Sequence, residues 1–155
     1  MKSIFFALSI FSLAVVCSIN APATYNNTVT GSQTAAAETG SIALNLNATG
    51  DLPGMLSLTL KHESGSVNGG TWTLTVLPPN ADASSSETGT LIGSVTGGTV
   101  TLDANGIATA ASSLQLNVQS GTGQYASITA GSATLSLSAD PENSTKLGGP
   151  LVLNF

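Results

Sequence analysis

Charge is what this chain has least of. Its 155 residues include three lysines, no arginine, eight carboxylates and one histidine, so that 7% of positions are charged. With so few cations the chain cannot neutralise a run of phosphates, which excludes nucleic acid as a partner. An anionic membrane surface is an equally poor match. Cysteine is almost missing too. The single Cys17 rules out an internal disulfide framework and any multi-cysteine metal site. Aromatic residues make up 5%. In place of charge stand 21 serines, 20 threonines and 17 glycines, small and hydroxylated residues that take over the solubilising role on the surface.

The first segment reads as a targeting signal. Lys2 precedes an apolar stretch over residues 4–16, broken by Ser9 and Ser12, which has the length of a secretory h-region and is too short for a membrane span. Ala21 and Ala23 supply the small residues of an A-x-A site, and Pro22 disfavours cleavage after Ala21. Residues 1–23 are therefore expected to leave as a signal peptide. Two rival readings are a lipoprotein signal at Cys17, opposed by the bulk of Val16, and an uncleaved anchor helix. Removing 23 of the 155 residues leaves 132, without cysteine, with two lysines against eight acids. This mature part is acidic and large enough for one domain that folds on its apolar core alone. The expected location is secreted or extracytoplasmic (periplasm or cell surface in a bacterium), with no membrane span in the mature protein.

Residues 24–40 (TYNNTVTGSQTAAAETG) hold only Tyr25 and Val29 as sizeable apolar groups and read as a flexible polar leader with room for one short strand. Residues 41–155 read as the all-β domain. There the apolar positions recur every second residue: Ile42, Leu44, Leu46; Leu56, Leu58, Leu60; Trp72, Leu74, Val76; residues 91–95; Val100, Leu102; Leu114, Leu116, Val118; Ala133, Leu135, Leu137; Leu151, Leu153, Phe155. Such alternation marks strands with one buried and one wetted face. Glycine, proline and asparagine clusters punctuate them, and no segment carries a helical stripe. Asn105–Gly106 signals a hairpin, Gly97–Gly98 a second one between residues 91–95 and 100–102, and residues 78–87 (PPNADASSSE) an exposed loop. The fold expected is a single-domain antiparallel barrel of about eight strands, with a β-sandwich as the alternative.

Residues 120–137, SGTGQYASITAGSATLSL, contain Gly-Thr-Gly, one residue, Tyr, and then a glycine before an alternating strand. This segment resembles the GTG-x-aromatic…G stretch of the dirigent and allene-oxide-cyclase-like barrels. The resemblance implies an eight-stranded antiparallel barrel around a hydrophobic cavity, secreted or organellar. It maps Gly121, Gly123, Tyr125 and Gly131 onto the shared motif and implies a structural role for them, the glycines allowing a bulge or bend and Tyr125 packing over it. The chain departs from the group where chemistry is concerned. Dirigent chemistry leans on arginine and aspartate in the cavity, and this chain has no arginine.

No residue pattern assembles a catalytic centre. His62 has Glu63 and Ser64 beside it but no nucleophile-elbow pattern such as G-x-S-x-G, and reads as a partly exposed histidine leading into a turn. One imidazole and scattered carboxylates leave oxygen-only calcium sites as the one metal option. Asp103–Ala104–Asn105–Gly106 has the start of a calcium loop without its later acids and reads as a plain turn. Asp51 and Glu63 flank one strand at opposite ends and are too far apart for paired-carboxylate chemistry. Asp82 and Glu87 in the loop are solubilising.

Trp72 and Tyr125 are the candidate ligand-binding residues, as aromatic platforms, although Trp72 shares its face with Leu74 and Val76 and so also fits a core position. The T-x-T rows at Thr71, Thr73, Thr75, Thr99 and Thr101 fit an ordinary wetted sheet face better than an ice-binding one. The alternation ending in Phe155 is shared with outer-membrane barrels, but the strands read as too short and aromatic girdles are missing. Three N-x-T sequons, at Asn26, Asn47 and Asn143, matter in a eukaryotic secretory pathway.

The functional expectation is a secreted, non-catalytic barrel, structural or binding a small apolar or neutral ligand, with no catalytic residues, no metal and no cofactor. The alternatives are a cyclase- or isomerase-like enzyme acting on a hydrophobic substrate, and a cell-surface adhesin subunit. The oligomeric state is not legible.

Overall fold

The computed structural model describes residues 22–34, 40–77 and 88–155. Most of the expected signal segment and the 78–87 loop lie outside these. Eight strands follow in chain order: β1 (Thr24–Gln33), β2 (Ser41–Gly50), β3 (Gly54–Glu63), β4 (Ser66–Val76), β5 (Gly89–Leu102), β6 (Ala108–Gly121), β7 (Gly131–Ala139) and β8 (Lys146–Asn154). Each pairs antiparallel with the next, and β8 pairs with β1 to close an up-and-down barrel. The barrel expectation holds and the sandwich alternative falls. Among the described residues the sole helical element is a 3-10 turn, Gly123–Tyr125, between β6 and β7.

The two-residue period builds the wall. In β3, Leu56, Leu58 and Leu60 are buried while Met55, Ser57 and Lys61 are exposed. The buried set points into the tube, where an eight-stranded barrel leaves just enough width for side chains to fill. Leu44, Leu58, Leu74, Leu91, Leu135 and Leu151 are each at most 2% exposed and belong to one continuous apolar cluster. The outer wall carries Thr28, Thr30, Asn45, Asn47, Thr71 and Ser132, all exposed. Strand lengths of 9–14 residues correct the expectation of strands too short for a membrane barrel. What separates this barrel from an outer-membrane one is the direction of the alternation, polar outward and apolar inward, the reverse of a lipid-facing wall. No helix among the described residues is long and apolar enough to cross a membrane.

Two expectations need correction. The supposed leader is a wall strand: residues 24–33 form β1 and hydrogen-bond to both β2 and β8. Its inward positions include polar residues, which hid its period. Asn27 is 5% exposed and its Oδ1 accepts from Leu52 N at 2.9 Å. Gln33, at the other end, donates through Nε2 to Gly106 O (3.1 Å) and accepts through Oε1 from Ala108 N (2.8 Å), joining β1 to the β5–β6 hairpin across the barrel mouth. Gly97–Gly98, expected to turn a hairpin, lies inside the 14-residue β5, where the β5–β6 register shifts around it. These glycines relax the ladder and do not end it. Counting β5 as two strands and β1 as none left the total near eight.

The Asn105–Gly106 hairpin is present as a five-residue connection between β5 and β6. Gly106 N donates to Asp103 O at 3.1 Å, and the Asp103 carboxylate accepts from both Asn105 N and Ile107 N at 2.8 Å. With its Oδ1 engaged by two backbone amides, Asp103 closes the turn. Those bonds, the one from Ile107 foremost, hold its carboxyl below its ordinary 3.8, against an opposing desolvation contribution. A depressed folded pKa stabilises above the unfolded value and loses that stabilisation as pH falls through the folded value. Asp103→Asn is therefore expected to be less stable than the parent near neutrality and to approach it as pH falls through the depressed value of the parent carboxyl. Circular-dichroism unfolding midpoints between pH 2 and 7 check this; a gap independent of pH would contradict it.

Candidate functional site

One end of the barrel collects nearly all the aromatic side chains. Beyond residue 23 the chain has four: Tyr25, Trp72, Tyr125 and Phe155. Three of them, Tyr25, Tyr125 and Phe155, line one open groove of about 640 Å³ together with Ala23, Gln124, Ser127, Ile128, Thr129 and Ala130. The volume is within the roughly 300–1,000 Å³ of small-molecule sites. Among the described residues no lining side chain carries a charge.

Backbone bonds hold the groove in shape. On one side, Ala23 N donates to Phe155 O (2.9 Å) and Phe155 N to Ala23 O (3.1 Å), extending the β1–β8 seam. The β1–β8 ladder, which starts at Thr24 paired with Asn154 and so does not depend on Ala23, sets Tyr25 against Phe155, stacked with ring centroids 4.9 Å apart and planes 23° from parallel. Across from them, the chain after β6 folds back as an arch. Tyr125 N donates to Thr122 O, Ile128 N to Tyr125 O, and Gly121 N to Ile128 O at 2.9–3.1 Å. Thr122 ties the arch to β5, with Thr122 N donating to Thr90 O and the two threonine hydroxyls 2.6 Å apart. Gly121 is required because a Cβ there would strike the Tyr125 carbonyl and sit 2.9 Å from Tyr125 Cβ. The Gly-Thr-Gly segment thus forms the bend over which Tyr125 lies.

The Tyr125 phenol accepts from Gln124 Nε2 at 3.0 Å. Burial pushes its pKa up and the neighbouring Tyr25 adds to this, while the Gln124 bond opposes both. The phenol is neutral at physiological pH and keeps its proton available for a hydrogen bond.

Of the two aromatic platforms expected from the sequence, the structure brings Tyr125 to this groove and withdraws Trp72. Trp72 is 1% exposed, and its Nε1 donates to Asn117 O at 3.1 Å, so it is a core residue and offers no ligand surface. Tyr25 and Phe155 were missed, the first because it stands in the apparent leader, the second because it was counted as the end of a closing strand. Their pairing across the β1–β8 seam was invisible until the barrel closed.

His62 sits at the opposite end of the barrel. It is partly exposed, but both ring nitrogens are buried and have no hydrogen-bond partner among the described residues. No nucleophile is bonded to it. Asp51 and Glu63 lie before and at the end of β3 and do not converge; the Asp51 carboxylate accepts from Asn26 N at 2.8 Å. Among the described residues no three His, Cys, Asp or Glu side chains group as metal ligands. Asp82 and Glu87 lie outside the described residues. Comparison with protein-family models, with curated proteins and with solved structures finds no match to this chain.

Proposed function

We propose that this protein is an extracytoplasmic, non-catalytic barrel that binds a small neutral ligand at the mouth lined by Tyr25, Tyr125 and Phe155. The observation that carries the reading is the aromatic groove, without a charged side chain among its described residues, on the end of a tube whose interior is taken up by apolar side chains. Acid–base and nucleophilic catalysis need a positioned ionisable group, and the described side chains of the groove offer only phenols, hydroxyls and an amide. A cyclase-like activity needs a substrate cavity inside the barrel; Leu44, Leu58, Leu74 and Leu135 occupy that space. An adhesin built by strand addition needs a free edge, and β1–β8 pairing removes it.

The test is a thermal-shift screen of neutral and apolar small molecules. A ligand at about 100 times its Kd adds about 2.7 kcal/mol to the folded state, a rise of roughly 5–10 °C in a domain of this size. Stabilisation without turnover supports the reading. A product released from any of these compounds overturns it.

A further inference from the structure

We infer that the groove is built for a neutral saccharide, a reading that rests on the end groove being the binding site. Its lining has two chemical faces. The Tyr25, Phe155 and Tyr125 rings with Ile128 offer apolar surface, and Ser127, Thr129 and the tyrosine hydroxyls offer hydrogen bonds. A sugar ring has the same division, with C–H groups on its faces and hydroxyls around its rim. An entirely apolar ligand would bury those hydroxyls unpaired, whereas a saccharide satisfies them. A phosphate or carboxylate group finds no cationic side chain among the described lining residues and would lose its hydration for nothing.

The distribution of aromatics points the same way. A chain with four aromatic side chains beyond residue 23 places three of them at one wetted end, where they remain only partly buried. Rings used for packing belong inside, as Trp72 shows. The stack and the arch hold these three before any ligand arrives, so little ordering entropy opposes binding. The Tyr125 hydroxyl accepts from Gln124 and so presents its proton to an acceptor, such as a sugar hydroxyl or ring oxygen.

The experiment titrates the purified protein with neutral trisaccharides (cellotriose, maltotriose, mannotriose and N,N′,N″-triacetylchitotriose), with farnesol as the apolar arm and with glucuronic acid as the charged arm. It is followed by NMR shifts of the Tyr25, Tyr125 and Phe155 rings and by calorimetry. The inference expects saturable shifts with at least one trisaccharide and none with glucuronic acid. Tyr25→Ala should weaken binding about tenfold or more, as loss of a stacking ring does. Ala130→Trp, which fills the groove from an exposed position, should abolish binding with the melting temperature unchanged, a control should Tyr25→Ala fold poorly. Farnesol binding in the groove without any trisaccharide would overturn the saccharide assignment and leave the small-ligand reading standing. Silence of every probe would overturn both. Trisaccharide binding indifferent to Ala130→Trp would place the sugar elsewhere and overturn the inference.

Discussion

Replacing Trp72 by alanine is expected to lower the stability of the barrel by about 3–5 kcal/mol, as truncation of a fully buried large aromatic does. Trp72 stands opposite Gly93 in the β4–β5 register. Its indole reaches past that glycine to donate to Asn117 O on β6, so one side chain spans three strands. Gly93 leaves the passage open: a Cβ there would collide with Asn117 O and lie 2.6 Å from Trp72 Nε1. Two contrasts separate the contributions. Trp72→Phe keeps most of the volume and strips the Asn117 carbonyl of its partner, a cost of about 1–3 kcal/mol. Gly93→Ala overfills the same space at about 1–3 kcal/mol. Because both act on one contact, the double variant Trp72→Phe, Gly93→Ala should cost less than the sum of its parts. Urea unfolding followed by circular dichroism measures all four. A Trp72→Ala variant within 1 kcal/mol of the parent would mean that the indole does not fill the tube.

Trp72 also shows how far the sequence could be read. Its alternation with Leu74 and Val76 placed it on the inward face, and inward in a closed eight-stranded tube means buried. The same alternation located the cores of β2, β3, β4, β6, β7 and β8, because Leu and Val dominate their inward positions. The period failed where an end of the barrel demanded something other than an aliphatic group. In β1 the inward Asn27 and Gln33 bind backbone amides at the two mouths, and polar residues at those positions read as a leader. In β5 the Gly97–Gly98 pair lies mid-strand, whereas Ser64–Gly65, with φ of 49° and 82°, makes the tight β3–β4 turn. A dipeptide signal states that a bend is tolerated; the neighbouring ladder decides whether one is made.

The groove was half legible for a related reason. Gly-Thr-Gly with a following tyrosine marks a local arch, a feature of consecutive residues, and Tyr125 could be read from it. Its partners come from the first and last strands, about 130 residues apart, and meet only because β1 pairs with β8. Sequence spacing carries no information about that closure; the inward phase of Tyr25 would have carried it had β1 been recognised as a strand.

The pH dependence of a single buried amide should expose how dry the tube is at its aromatic end. Asn27 is 5% exposed, its Oδ1 holds Leu52 N, and its Nδ2 has no partner among the described residues. Asn27→Asp keeps the acceptor and the shape while adding an ionisable group. Burial raises the folded pKa of such a carboxyl, by up to roughly 3–5 units where no cation compensates. The Leu52 amide offsets part of that, so about 3 kcal/mol of destabilisation is expected at pH 7. The sign follows from linkage. With the folded pKa above the unfolded one, the penalty is absent below the unfolded value near 4 and grows as pH rises towards the folded value. The gap between parent and variant should therefore close on acidification, as for Asp103→Asn but at higher pH and for a different cause. There, the gap closes because the parent loses a favourable charge; here, because the variant loses an unfavourable one. Asn27→Leu separates charge from shape: it removes the unpaired donor together with the acceptor for Leu52 N, and its cost should be about 1–2 kcal/mol at every pH. Denaturant midpoints of the three proteins at pH 4 and pH 7 decide the matter. Equal stability of Asn27→Asp and the parent at pH 7 would show that water reaches position 27, and that the barrel end beneath the aromatic groove is wet.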